Sequence, residues 1–193
     1  MAELVLKKIL AERAALYCQD IELGPAALEK LAPDISPAGY LDLLMQEVLF
    51  SDAVKFLARA LPKRESTWWA CLCSRGALDE AASESLSKAL EAAERWVYEP
   101  TEEHRRQAYA AAQATGFDHP VSWAAMAAFW SGGSMAPPDV PAVPPGDDLT
   151  AKAVAGALML AAVQTQPELA ADKYCLFLRR GIDIAGGGNG RLT

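Results

Sequence analysis

Four cysteines and two histidines are the side chains of this chain best suited to metal binding or nucleophilic chemistry. The pair Cys71-x-Cys73 would place its two sulfurs on nearly opposite sides of a helix. Structural zinc sites use longer spacings and further ligands, and only His104 and His119 are present. The apolar neighbours of both cysteines favour a raised thiol pKa, which disfavours a nucleophile. We therefore expect reduced cysteines, no metal, no cofactor and no catalytic residue.

Two further features resemble functional sites but have a plainer interpretation. The glycine-rich segment from Gly186 to Arg191 has the composition of a phosphate-binding loop, but no strand precedes it and no helix follows it. A flexible terminus over residues 186–193 is therefore predicted. His119 precedes Pro120 at a predicted helix start, and no nucleophile in the sequence pairs with it. We interpret it as a turn residue.

The charged residues Lys63, Arg64 and Glu65 stand one helical turn before Trp68. Arg64 and Trp68 are four residues apart, a spacing at which a guanidinium can lie over an indole and contribute roughly 0.5–1 kcal/mol. Two interpretations remain open: an exposed first turn in which the arginine covers the indole, or an anchor for a binding partner. On the second interpretation, these four residues form a protein-binding site.

The composition limits the class of partner. Of the 193 residues, 52% are hydrophobic and 22% are charged, and the formal net charge is −7. This acidity argues against nucleic acid or an anionic membrane as the main partner. The longest run rich in Ala, Leu and Val, residues 153–163, is too short to cross a bilayer, and the first residues lack the apolar core of a secretion signal. The sequence therefore predicts a cytoplasmic protein without membrane insertion.

A helix over residues 61–73 would carry the charged cluster and the tryptophans. Pro62 suits a first turn, and the apolar run from Trp68 to Cys73 predicts a helix that is buried on most sides. Successive residues on a helix point about 100° apart. Trp68 and Trp69 must therefore pack against different neighbours, and each indole N–H needs an acceptor. Helices are expected on at least two sides.

Apolar periodicity predicts further helices. An amphipathic helix is expected over residues 3–17, and another is expected to start at Asp79. Small residues from Ala153 to Ala161 predict a helix that a neighbour can approach closely. The composition, rich in alanine and poor in consecutive β-branched residues, favours helices over strands throughout.

Helix ends are predicted from capping signals. Ser36, Thr101 and Asp118 have the side chains and positions of N-caps. The sequence Arg180-Gly181-Ile182 is typical of a helix that ends in a left-handed glycine followed by an apolar contact. The last helix is therefore expected to end at Gly181.

Two surface segments each allow two interpretations. Residues 79–103 carry eight acidic and two basic side chains, which indicates either a solvated helix face or an acidic docking surface.

Residues 132–148 contain five prolines and cannot form a regular helix. Their P-x-x-P spacing suits an aromatic groove, but no basic residue flanks it, so we expect a surface strap that joins two helical regions.

Three segments occur in order along the chain: Asp52-Ala53-Val54 through Phe56-Leu57-Ala58, then Leu61-Pro62-x-Arg64-Glu65-x-x-Trp68-Trp69-Ala70, then Gly181-x-Asp183-Ile184-Ala185. Their order resembles an uncharacterised family of small, alanine-rich helical proteins of Gram-negative bacteria, over roughly residues 20–186. Members of that family tend to be encoded among type VI secretion components, near effectors, spike proteins and adaptor chaperones. The resemblance implies this context and brings no catalytic residues with it.

The sequence thus predicts an all-α fold in one domain over residues 1–193, with eight to nine helices packed as antiparallel pairs around the Trp68-Trp69 helix. The predicted function is a non-enzymatic adaptor or co-chaperone that binds a secretion effector or its chaperone. The alternative is a small-molecule-binding domain or an enzyme with an apolar pocket beneath Trp68, Trp123 or Trp130. An extended exposed groove favours the adaptor, and an enclosed pocket with convergent polar groups favours the alternative.

Overall fold

The computed structural model describes residues 4–78 and 83–192, and these residues form an all-α fold. Within them lie nine α-helices, two short 3₁₀ segments and no β-strand, which confirms the predicted class and helix number. None of the described helices combines the length and apolarity needed to span a bilayer. The α-helices are α1 Pro25–Glu29, α2 Pro37–Gln46, α3 Phe50–Ala60, α4 Lys63–Arg75, α5 Glu84–Tyr98, α6 Glu102–Gln113, α7 Pro120–Phe129, α8 Leu149–Val163 and α9 Ala170–Gly186. The 3₁₀ segments are Ala14–Tyr17 and Pro167–Leu169.

Helices α4 and α8 lie at the centre of the domain. Helix α4 packs against α5, α7, α8 and α9, and α8 also packs against α3, α7 and α9. Buried alanines of α8 allow this close approach, as the small-residue pattern predicted. The core of the protein is therefore assembled around these two helices.

The two adjacent tryptophans of α4 face different neighbours, as predicted. Trp69 is fully buried and donates its indole N–H to the carbonyl of Phe177 at 2.7 Å. Trp68 is only half-buried and donates its indole N–H to the carbonyl of Asn189 at 2.8 Å. Trp69 thus belongs to the core, whereas Trp68 lies at the surface of the domain.

Helix α9 extends further than predicted. It continues through Gly181 to Gly186, and Gly187, with a φ of +105°, forms the left-handed C-cap. A Cβ on Gly181 would lie 2.7 Å from Leu57 Cδ2 and 2.8 Å from Trp69 Cε2. Glycine is therefore required at this position for close helix packing and not for a turn. The predicted helix end at Gly181 is wrong.

The N-terminal segment does not form the predicted amphipathic helix. Among residues 4–17 only Ala14–Tyr17 is helical, as a 3₁₀ turn. The backbone N–H groups find other acceptors, since Lys8 donates to the carbonyl of Ala185 at 2.9 Å and Ala11 donates to the hydroxyl of Tyr17 at 3.1 Å. A carbonyl of α9 and the hydroxyl of Tyr17 therefore take the place of acceptors that a local helix would provide.

The predicted N-caps Ser36 and Thr101 are confirmed. The hydroxyls of Ser36 and Thr101 accept hydrogen bonds from backbone N–H groups at 3.1 and 3.2 Å. The predicted cap Asp118 is wrong, because His119 caps α7 and its Nδ1 accepts from the N–H of Val121 at 3.3 Å. A residue before proline prefers the extended backbone that an N-cap needs. The predicted helix start at Asp79 lies outside the described residues, and α5 begins at Glu84.

Residues 132–148 contain no helix and connect α7 to α8. Two arginines of α6 hold this strap at its first half. Arg105 is buried and donates to the carbonyl of Ser134 at 2.8 Å, and Arg106 donates to the carbonyls of Ser134 and Ala136 at 3.0 and 2.8 Å. The strap therefore lies over the start of α6.

Candidate functional site

One face of α4 points away from the core and borders two surface clefts. It carries Arg64, Glu65, Trp68, Leu72 and Arg75, whose spacings of three and four residues align them along the helix. Glu65 pairs with the Nζ of Lys8 at 3.2 Å. Trp68 of this face lines both clefts.

The first cleft, which we call the Trp68 cleft, has a volume of about 400 Å³. Its walls come from the N-terminal segment, the first turns of α4, the end of α5, the end of α9 and the glycine-rich tail. The lining residues are Lys8, Arg64, Glu65, Trp68, Val97, Tyr98, Ile184, Gly188, Asn189 and Arg191. Five separate parts of the chain therefore meet around one half-buried indole.

The structure brings together three of the four residues predicted as a protein-binding site. Arg64, Glu65 and Trp68 line the Trp68 cleft, while Lys63 does not. The Nζ of Lys63 lies 3.4 Å from a carboxylate oxygen of Asp147 in the strap. Lys63 thus points toward another part of the surface, and it is not part of the candidate site.

Arg64 does not lie over Trp68, so the predicted stacking pair is replaced by another. Its Nε donates to the carbonyl of Val97 at 2.5 Å, and its Nη2 donates to the carbonyl of Tyr98 at 3.2 Å. These carbonyls belong to the last turn of α5, where the C=O groups lack N–H donors from their own helix. The guanidinium over the Trp68 ring belongs to Arg191, at 5.5 Å from the ring centroid. Arg64 therefore fixes the end of α5 beside Trp68.

Tyr98 is the largest exposed aromatic group of the cleft. Its side chain is 71% exposed, and its ring lies edge-on to Trp68 with 6.3 Å between centroids. Tyrosine and tryptophan beside arginine are the residue types that most often dominate protein interfaces. Sequence reasoning missed Tyr98, although its position just before Glu99-Pro100 marks the end of a helix, where a side chain can remain uncovered.

The glycine-rich tail forms one wall of the cleft. The N–H of Gly188 donates to the carbonyl of Asp183 at 2.8 Å, and the N–H of Gly190 donates to the carboxylate of Asp183 at 2.8 Å. The carbonyl of Asn189 accepts the indole N–H of Trp68. These bonds fix one turn of backbone against α4. The structure thus places the tail in the wall of the cleft, and the flexibility of residues 186–193 stays a prediction.

The charge of the Trp68 cleft is opposite to that of the whole chain. Three cations, Lys8, Arg64 and Arg191, face one acid, Glu65, whereas the chain has a formal net charge of −7. Lys8 is paired with Glu65, so Arg64 and Arg191 provide the excess positive charge. A local basic site on an acidic protein favours anionic groups at this site and repels them elsewhere.

Two of the four thiols are packed in the core. Cys18, Cys71, Cys73 and Cys175 are free, and Cys71 and Cys73 are buried in the core. Burial raises the pKa of the Cys73 thiol to about 12 and raises the pKa of Cys71 as well. A thiol with a raised pKa is a poor nucleophile. In residues 4–78 and 83–192, no three Cys, His, Asp or Glu side chains cluster in a way that could hold a metal ion.

The other two tryptophans considered in the sequence do not line the Trp68 cleft. Trp123 and Trp130 pack against each other with 6.4 Å between ring centroids. The indole N–H of Trp123 donates to the carbonyl of Phe117 at 3.2 Å. Trp68 and the Trp123–Trp130 pair therefore lie at two different places in the protein.

The chain belongs to DUF6931, a family of unknown function whose model matches residues 40–185. No curated protein and no solved structure matches the chain. The matched range contains the α4 face and Tyr98, while Lys8 and Arg191 lie outside it. The Trp68 cleft is thus built from the family region together with both flanking segments.

Proposed function

We propose that this protein is a non-enzymatic adaptor or co-chaperone that holds a segment of another protein in the Trp68 cleft. The observation that supports this proposal most strongly is the exposed Tyr98 ring beside the half-buried Trp68 ring, with Arg64 and Arg191 around them. Aromatic rings supply contact area with little loss of side-chain entropy, and guanidinium groups supply directed hydrogen bonds. Such a surface is suited to holding a peptide segment.

The partner in this proposal is a type VI secretion effector or its dedicated chaperone, met in the cytoplasm before export. This part of the proposal rests on the sequence resemblance of the Leu61-to-Ala70 motif. Three residues of that motif, Arg64, Glu65 and Trp68, line the cleft. A binding role for the cleft would explain why charged residues form the first turn of α4, directly before its apolar run.

A small-molecule site is the second candidate function, and the volume of the cleft is the observation that favours it. A cleft of about 400 Å³ falls within the range of ligand pockets. Such pockets are mostly apolar and hold a few convergent polar groups. The Trp68 cleft instead has charged groups from several segments and an exposed aromatic rim, which supports the adaptor.

The test compares quantitative affinity capture from the native cell by the wild type, by Tyr98→Ala and by Val140→Ala. Both substitutions shorten an exposed apolar side chain, since Val140 is 47% exposed on the strap. If Tyr98 is an interface anchor worth about 2 kcal/mol, its loss weakens binding about thirtyfold. We expect one protein to be recovered by the wild type and by Val140→Ala and lost with Tyr98→Ala.

Equal recovery by all three proteins would remove the cleft from the interface. Native mass spectrometry of the freshly purified protein addresses the second candidate function. A bound small molecule that Tyr98→Ala loses, together with no partner that depends on Tyr98, would replace the adaptor by the ligand-binding function.

A further inference from the structure

We infer that the segment held by the α4 face is acidic and that its carboxylates bind Arg64, Arg180 and Arg191. This inference rests on the proposed adaptor function and adds the chemical class of the partner segment. It depends on a second cleft next to the Trp68 cleft and on the way in which the structure orients these three guanidinium groups.

The second cleft, which we call the arginine cleft, lies on the other side of Arg191 and has a volume of about 390 Å³. Arg75, Arg180 and Arg191 line it, and its apolar lining includes Trp68 and Leu72. Arg191 and Trp68 also line the Trp68 cleft. The two clefts are therefore neighbours along α4, and we call the α4 surface that they border the strip.

The structure orients three arginines of this strip without neutralising them. Arg64 is held by two carbonyls of α5, Arg180 donates from Nη1 to the carbonyl of Leu72 at 3.1 Å, and Arg191 lies over Trp68. No carboxylate of the described residues lies within 4.0 Å of these three guanidinium groups, whereas Arg75 is paired with Glu94 at 2.6 Å.

Oriented guanidinium groups with unused donors are suited to carboxylates, because an arginine can bind a carboxylate through two parallel hydrogen bonds. Their side-chain freedom is already reduced by the bonds to the carbonyls and the ring, so less entropy is lost when a partner binds. The negative net charge of the chain disfavours binding of an acidic segment elsewhere on the surface.

The dimensions and the floor of the strip favour a short peptide segment. From Arg64 to Arg75 the α4 face rises about 16 Å, the length of about five residues of extended chain. Between the charged groups lie Trp68 and Leu72, with Tyr98 at the rim. In an extended segment, neighbouring side chains point in opposite directions. A segment that alternates acidic and apolar side chains would therefore contact both the arginines and the apolar floor.

The test measures fluorescence anisotropy of a fluorescein-labelled peptide that alternates glutamate and leucine, flanked by glycine and serine. In the control peptide, glutamine replaces every glutamate. The protein variants are Arg191→Gln and the matched control Arg179→Gln, which removes the same charge from α9. Arg179 is exposed and does not line either cleft. Arg180→Gln is a third variant, and its melting temperature shows whether loss of the bond to Leu72 disturbs the fold.

We expect the wild type to bind the glutamate peptide at least tenfold more tightly than the glutamine peptide. Arg191→Gln should weaken binding of the glutamate peptide about tenfold, because a hydrogen bond to a charged group is lost, and Arg179→Gln should change it less than twofold. Equal affinity for both peptides, or equal losses in Arg191→Gln and Arg179→Gln, would overturn the inference.

Three further outcomes separate this inference from the adaptor proposal. If Tyr98→Ala still loses the native partner while the two peptides bind equally, the acidic segment is wrong and the adaptor stands. A single-stranded DNA oligonucleotide of equal charge that displaces the peptide would overturn the assignment to a protein segment. Self-association of the chain that Arg191→Gln abolishes would assign a second copy as the occupant and would also overturn it.

Discussion

Gly181 and Gly156 provide a matched pair of substitutions that tests the packing of α9 on α4. Both residues lie inside helices, where alanine is favoured over glycine by about 1 kcal/mol. A Cβ on Gly156 has no neighbour within 4 Å, so Gly156→Ala should gain that amount. A Cβ on Gly181 would lie 2.7 Å from Leu57 Cδ2 and 2.8 Å from Trp69 Cε2, well inside contact distance.

Neither neighbour of Gly181 can move aside. Leu57 and Trp69 are fully buried, and the indole of Trp69 is also held by its hydrogen bond to Phe177. An overpacked core position costs up to about 3 kcal/mol, so after the gain in helix propensity the net loss for Gly181→Ala is about 2 kcal/mol. In a domain of this size that loss lowers Tm by about 4–8 °C.

The assay is urea unfolding followed by tryptophan fluorescence, together with a thermal melt. Gly181→Ala should lower the free energy of unfolding, and Gly156→Ala should raise it. If both substitutions raise it by the same amount, the close contact between α9 and Trp69 would be refuted, and Gly181 would act as an ordinary helix glycine.

Three other features lead to predictions of their own. Val48 is β-branched, has a φ of +59° and is 64% exposed, so its backbone is strained and its side chain packs little. Val48→Gly should therefore raise the free energy of unfolding by about 1 kcal/mol, as measured by urea titration. Hydrogen bonds from Arg105 lower the pKa of Glu102 from its ordinary value of 4.5 to about 2. The ionised Glu102 therefore stabilises the fold fully above pH 4.5, and this contribution is lost as the pH falls toward 2. Because Glu102 is 57% exposed, Glu102→Gln should remove only up to about 1 kcal/mol of this pH dependence, and an unchanged acid profile would contradict the pairing. Cys71 and Cys73 should resist a thiol reagent in the native protein and react after unfolding, as read by mass spectrometry; rapid native labelling of either would contradict their burial.

Local sequence signals predicted the helical class and several helix starts. Ser36 and Thr101 act within three residues of themselves, so their capping role can be recognised without tertiary structure. The same is true of the two adjacent indoles of α4, because helical geometry alone separates their directions. These features survive in the fold because no long-range contact competes with them.

Errors arose where a distant partner replaced a local one. The four-residue spacing of Arg64 and Trp68 allows stacking, but Arg64 binds the carbonyls of Val97 and Tyr98. The ring contact of Trp68 comes from Arg191, which no local spacing rule connects with it. A glycine beside an arginine has the same local pattern at a helix end and inside a helix. Only the opposing Trp69 shows that Gly181 belongs to the second case.

The candidate site was predictable only as far as one helix could define it. Spacing on α4 grouped Arg64, Glu65 and Trp68 on one face. Tyr98 and Arg191 join them through helix packing and through the turn fixed by Asp183. A site assembled from five segments cannot be read from the spacing of residues within one of them.

Site-specific photo-crosslinking tests the Trp68 cleft as the protein-binding surface most directly. A photoreactive benzoyl-phenylalanine replaces Tyr98 in one sample and Val140 in the other, since both side chains are exposed. After irradiation in the native cell, mass spectrometry identifies the crosslinked peptides. We expect Tyr98 to crosslink to an acidic segment of one partner protein and Val140 to give no such product. Crosslinks to the same partner from Val140 alone would contradict a binding role for the cleft.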